Sequence, residues 1–194
     1  MTALILGLVL FLGLHSIRIV AAADGARSRF VAQLGPNAWR GLYSLVSAVG
    51  LVLIVWGYSL TLQQPVVLRA PPAWVRMLTS ALTLPAIVLI AAAYVPRNHF
   101  KVWVGHPMVL GTALWAFAHL LATRTLADVL LFGGFLIWAV LCFRSLRARD
   151  RAAGVQRAPG AWVPSVIATG VGAALWFAFG RWAHAWLIGI NPFA

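Results

Sequence analysis

Long apolar runs alternate along this chain with short polar stretches that carry most of its arginines. The runs cover residues 3–22, Ala38 to Leu62, Ala73 to Val95, Pro107 to Ala122, Leu126 to Arg144, and Trp162 to Ile190. Several reach the ~20 residues a helix needs to cross a bilayer. The pattern predicts an all-α, polytopic membrane protein, a six-transmembrane-helix bundle in a single domain over residues 1–194. A chain of 194 residues leaves no room beside it for a soluble domain.

Finer punctuation sharpens this outline. No Lys or Arg precedes the first run, and it is longer than a signal-peptide core, so it reads as a retained helix. Gly7, Phe11, His15 and Arg18 share one of its faces. Gly41, Ser44, Ser47 and Gly50 form a small-residue stripe on the second helix, and Gly170, Ala174 and Ala178 form another on the sixth. Such stripes are expected where membrane helices approach closely. Pro85 predicts a kink in the third helix. The connections are a Gly35-Pro36-Asn37 turn in the first loop, a Pro-rich loop from Gln63 to Pro72, and a Gly105-His106-Pro107 turn opening the fourth helix. Pro107 suits a first helical position and drives His106 out of helical geometry. The one long charged segment is Arg144 to Arg157.

Composition agrees with a membrane origin. Hydrophobic residues make up 62% of the chain and mean hydropathy is +0.91, against roughly 45–50% apolar in soluble domains. The charge of +12 would point to nucleic acid in a soluble protein. Here the cations sit in short loops, so nucleic acid is not predicted as a partner; lipid bilayer is. The odd-numbered loops hold Arg27, Arg29, Arg40, Arg97, Lys101, Arg144, Arg147, Arg149, Arg151 and Arg157, and the even-numbered ones hold Arg69, Arg76 and Arg124. This asymmetry predicts cytoplasmic odd loops, periplasmic termini, and a multi-pass protein of the bacterial inner membrane. The lone cysteine, Cys142, rules out an internal disulfide, a Cys-ligated iron–sulfur cluster and a C-x-x-C-H haem site.

Candidate chemistry is sparse. There is no Glu, and Asp24, Asp128 and Asp150 lie in or beside loops. Carboxylate-driven proton transport, glycosidase chemistry and hard-cation sites are therefore not expected. Five histidines remain. His15, His99 and His106 fall in the predicted cytoplasmic half. His119 and His184 fall in the outer half, roughly 20 Å from His106 at ~1.5 Å per residue. An intramembrane His is by default a functional candidate. Two imidazoles without thiolate or carboxylate make a poor zinc site but a suitable axial pair for haem b. If the inner pair is a site, His15 and His106 are its ligands to haem iron, with Arg18, Arg97 and Lys101 placed to meet propionates; the alternative is that each ring only hydrogen-bonds a neighbouring helix. His119 and His184 are expected to face each other as a supporting outer pair, with Gly180 leaving room beside the second ring. Trp39, Trp74, Trp103, Trp162 and Trp186 fall at predicted interfaces, as in an ordinary aromatic belt.

Four segments also carry a resemblance: Gly13-Leu14-His15-Ser16-Ile17-Arg18, Trp39 to Ser47 (WRGLYSLVS), Gly105-His106-Pro107-Met108, and Trp115 to Leu121 (WAFAHLL). Together they resemble the NnrU family of bacterial membrane proteins over nearly the whole chain. That resemblance implies a link to denitrification, through nitrite and nitric oxide reduction. The family is in turn similar to the plant 15-cis-zeta-carotene isomerases, which use haem b with histidine ligands. By that resemblance His15 and His106 match the ligand positions. Trp103 stands where a Cys precedes the second histidine by three residues. The expected function is a haem b-binding, redox-linked inner-membrane protein, whose ligand is haem, a small redox molecule or an apolar polyene. The alternatives are a haem-free accessory or scaffold protein, or a cis-trans isomerase.

Overall fold

The structure, a computed structural model, describes residues 1–20 and 25–193; the side chains of Arg18, Val20 and residues 25–27 lie outside the described set. Every regular element among the described residues is helical. They are α1 (Thr2–Val20), α2 (Gly25–Leu34), α3 (Pro36–Thr61), α4 (Trp74–Ala92), α5 (His99–Val104), α6 (Pro107–Leu121), α7 (Leu126–Ala152) and α8 (Trp162–Ala178). A π-helical turn, Phe179–Ala183, continues α8 into α9 (His184–Ile188).

Among the described residues four segments are long and apolar enough to cross a membrane: Pro36–Thr61, Trp74–Ala92, Leu126–Ala152 and Trp162–Ile188. The expected first and fourth spans are shorter apolar helices over Thr2–Ile17 and Pro107–Leu121. Two helices went unforeseen, because α2 and α5 are short and polar enough to read as loop. The fifth helix runs eight residues beyond Arg144, to Ala152, since alternating Arg and Ala continue a helix readily.

The chain divides into two compact units. In the first, residues 1–68 and 125–134, α1 packs along α3. Glycine sets the spacing. A Cβ on Gly7 would lie 2.6 Å from Ile54 N, one on Gly50 would lie 3.0 Å from Phe11 N, and one on Gly57 would overlap the backbone of Leu4. Leu4 itself is fully buried. A Cβ on Gly41, which the sequence placed in the contact stripe, meets nothing. The start of α7 is fastened to α3: Tyr58 Oη donates to Asp128 Oδ1 at 2.7 Å. Asp128 also closes a capping box, its Oδ2 accepting Thr125 N–H at 2.8 Å while its own N–H donates to Thr125 Oγ1 at 3.2 Å.

In the second unit, residues 69–124 and 135–194, α4 is packed by both α6 and α8. Close approach again falls at glycine, Gly111 against Ala86 O and Gly172 against Val88. Gly170, in the expected stripe, faces open space. Trp176 Nε1 donates to Thr83 Oγ1 at 3.0 Å, tying α8 to α4 two residues before Pro85. Arg69 caps the end of α6 by donating to Leu120 O, Leu121 O and Thr123 O. Buried Asn98 joins α4 to α5. Its Nδ2 donates to Ala92 O and Val95 O, and its Oδ1 accepts Lys101 N–H.

Candidate functional site

His15 lies on α1, half-buried, in a line of apolar residues. Its Nδ1 is 2.7 Å from Phe11 O, and a carbonyl only accepts, so Nδ1 carries the proton. In the neutral ring Nε2 is then the basic nitrogen. Phe11 stacks on the imidazole at 4.3 Å and Tyr43 of α3 lies against it at 5.3 Å. One turn beyond Tyr43, Ser47 Oγ is buried with no hydrogen-bond partner among the described residues. Hydroxyls in helices often bond their own i−4 carbonyl, and Ser16 does so toward Leu12 O. Ser47 does not, which leaves a donor in an apolar helix pair.

His106 is the N-cap of α6, with φ −124° and ψ 68°, Pro107 following it at the first helical position as the sequence predicted. Gly105 before it takes φ +78°, a conformation that glycine supplies without strain. His106 Nε2 lies 2.9 Å from Asp150 Oδ2, and the carboxylate accepts, so Nε2 carries that proton. Arg157 donates to the same carboxylate oxygen. The sequence-based expectation left Asp150 out of the site. It is the sole acidic residue in the Arg144–Arg157 stretch, 44 residues from its histidine partner, and that isolation was the available signal.

Lys101, Gly105 and His106 line one open cleft with Ala93, Pro107, Met108 and Val109, of about 210 Å³. Arg97 is exposed, with φ 53°, and its carbonyl accepts Ala161 N–H at 2.8 Å. The Arg18 side chain falls outside the described residues. His99 opens α5, where a loop position was expected. Its N–H donates to Ser165 Oγ at 2.9 Å, and its ring lies 4.5 Å from Trp162 and 5.5 Å from Trp103.

His119 repeats the pattern of His15: Nδ1 donates to Trp115 O, four residues earlier, at 2.8 Å, and the Trp115 ring lies 5.1 Å away. His184 Nδ1 donates to Ile190 O at 2.7 Å. The room expected beside Gly180 is filled, because a Cβ there would stand 2.7 Å from the Phe193 ring. Cys142 is buried. Among the described residues no group of three or more His, Cys, Asp or Glu could hold a metal ion.

As donors to haem, the two histidines fit differently. The His15 ring is oriented through Nδ1, held by a backbone carbonyl, the usual way a ligating ring is oriented. His106 presents Nδ1 while Asp150 holds Nε2. Either ring nitrogen of a neutral imidazole can bind a metal.

Helices of this length and hydropathy, with polar side chains gathered at helix ends, define a multi-pass, all-helical membrane protein. The family model described as NnrU protein matches residues 3–192, and the chain belongs to that family. No curated protein and no solved structure matches it.

Proposed function

We propose that this NnrU-family chain is an inner-membrane haem b protein with a redox-linked role in nitrogen-oxide metabolism, associated with denitrification. The observation that carries the proposal is the surroundings of His15. Its Nδ1–H is committed to Phe11 O, so the neutral ring's basic nitrogen is Nε2. Tyr43 packs against the ring, and the buried Ser47 hydroxyl lies one turn along from Tyr43.

In this reading His15 and His106 would hold the iron, and Arg18, Arg97 and Lys101 would pair with the propionates. When bound, the haem would supply one-electron chemistry. The protein's own contribution is orientation and exclusion of water. Phe11 and Tyr43 fix the plane of the His15 ring, and Asp150 fixes that of His106.

The test is the absorption spectrum of detergent-purified protein, oxidised and reduced. A Soret band that shifts on reduction supports the proposal, and protein without one refutes it. Periplasmic termini belong to the same proposal, on the asymmetry of loop cations. A reporter fused after Ala194 should be active in its periplasmic form, and activity only in a cytoplasmic form would overturn that orientation.

A further inference from the structure

We propose that the Gly105 turn and the charged end of α7 bind the phosphate diester of an anionic lipid headgroup, held by Arg147 and Arg157 with Lys101 at the cleft wall. The proposal goes beyond haem binding and needs no haem.

Gly105 is where two guanidinium groups converge. A Cβ there would stand 2.5 Å from Arg157 Nη2 and 3.3 Å from Arg147 Nη1, so both lie over the one bare Cα. Like charges so placed repel each other, and a counter-anion relieves that repulsion. Among the described residues one carboxylate, Asp150, pairs here, and it is already shared between Arg157 and His106. Among the described residues Arg147 and Lys101 have no acidic partner. Asp128 is engaged with Tyr58 and Thr125. The local balance is therefore positive, and the side chains are half-buried, where screening by water is reduced.

Guanidinium forks match the paired oxygens of a phosphate, and a lysine adds a point charge. The cleft of about 210 Å³ beside Lys101 and Gly105 is smaller than the ~300 Å³ of small-molecule pockets. It has room for a headgroup whose acyl chains stay in the bilayer. The position favours a lipid over a free ion: Arg147 follows within a turn of Arg144, where the apolar run of α7 gives way to charge. Basic pockets at that depth recognise anionic headgroups.

Native mass spectrometry of the full-length detergent-purified protein, titrated with phosphatidylglycerol or phosphatidylcholine, tests this. Arg147→Gln is the informative variant, because it leaves the Asp150 contacts and every proposed haem-binding residue intact. Wild type should retain phosphatidylglycerol in preference to phosphatidylcholine. Arg147→Gln should weaken that preference about fivefold. Arg40→Gln, an exposed arginine on α3, should leave it unchanged. Equal retention of the two lipids by wild type, or an unchanged preference in Arg147→Gln, overturns the proposal. Thermal protection by inorganic phosphate, lost in Arg147→Gln but without any lipid preference, overturns the lipid source and shows a free-phosphate site instead.

Discussion

Removing the Asp128 carboxylate isolates what holds the start of α7 to α3. Asp128 is 8% exposed and accepts from Tyr58 Oη at 2.7 Å and from Thr125 N–H at 2.8 Å. Asp128→Ala strands the Tyr58 hydroxyl and the N–H of the N-cap residue Thr125 in an apolar setting. A hydrogen bond to a charged group contributes about 1.5–3 kcal/mol and a lost helix cap about 1 kcal/mol. Polar contacts within bilayers average only ~0.6 kcal/mol, because unfolded helices in lipid find other partners. Taken together, Asp128→Ala should cost about 2–3 kcal/mol and Tyr58→Phe about 1–2 kcal/mol. Denaturant unfolding of the detergent-solubilised protein, followed by circular dichroism, measures both variants and the double substitution. Because Tyr58→Phe removes no further bond once the carboxylate is gone, and takes away the stranded hydroxyl, the double variant should be no less stable than Asp128→Ala. Fully additive losses would show that the two side chains do not act through one bond.

Three further outcomes are expected. His15→Ala and His106→Ala should each remove haem or leave it high-spin, while Cys142→Ser leaves the spectrum intact; an unchanged low-spin spectrum in the double His variant would exclude this pair as ligands. His119→Ala should lower stability at a constant haem-to-protein ratio, since its Nδ1–H is spent on Trp115 O; pyridine haemochrome assay reads the ratio, and a fall by half would reveal a second haem. Gly57→Ala should destabilise by about 1–3 kcal/mol, because its Cβ overlaps the Leu4 backbone, whereas Gly41→Ala, which meets nothing, should be neutral in the same unfolding assay.

The sequence by itself determined what depends on local composition. Apolar runs place the helices that can cross a bilayer, because backbone groups in lipid must be satisfied within the segment. Gly105 and Pro107 bracket the entrance of α6 through their own backbone restrictions, so the geometry of His106 was legible before any contact was known. Helix contacts were legible only in part. Of the stripe of Gly41, Ser44, Ser47 and Gly50, Gly50 does meet α1, whereas Gly41 faces open space and the other close approaches of α3 fall at Ile54 and Gly57. Small residues permit approach along a whole face, and the side chains of the opposing helix choose where it happens. The aspartates show the same divide. Read locally, Asp128 and Asp150 are loop-edge charges. Folding carries Asp128 to Tyr58, 70 residues away, and Asp150 to His106, 44 residues away. A buried carboxylate is tolerated only where donors surround it, and those donors come from parts of the chain that sequence spacing does not relate. Tertiary structure alone decided which histidine carries a carboxylate partner and which, like His15, is oriented by its own helix.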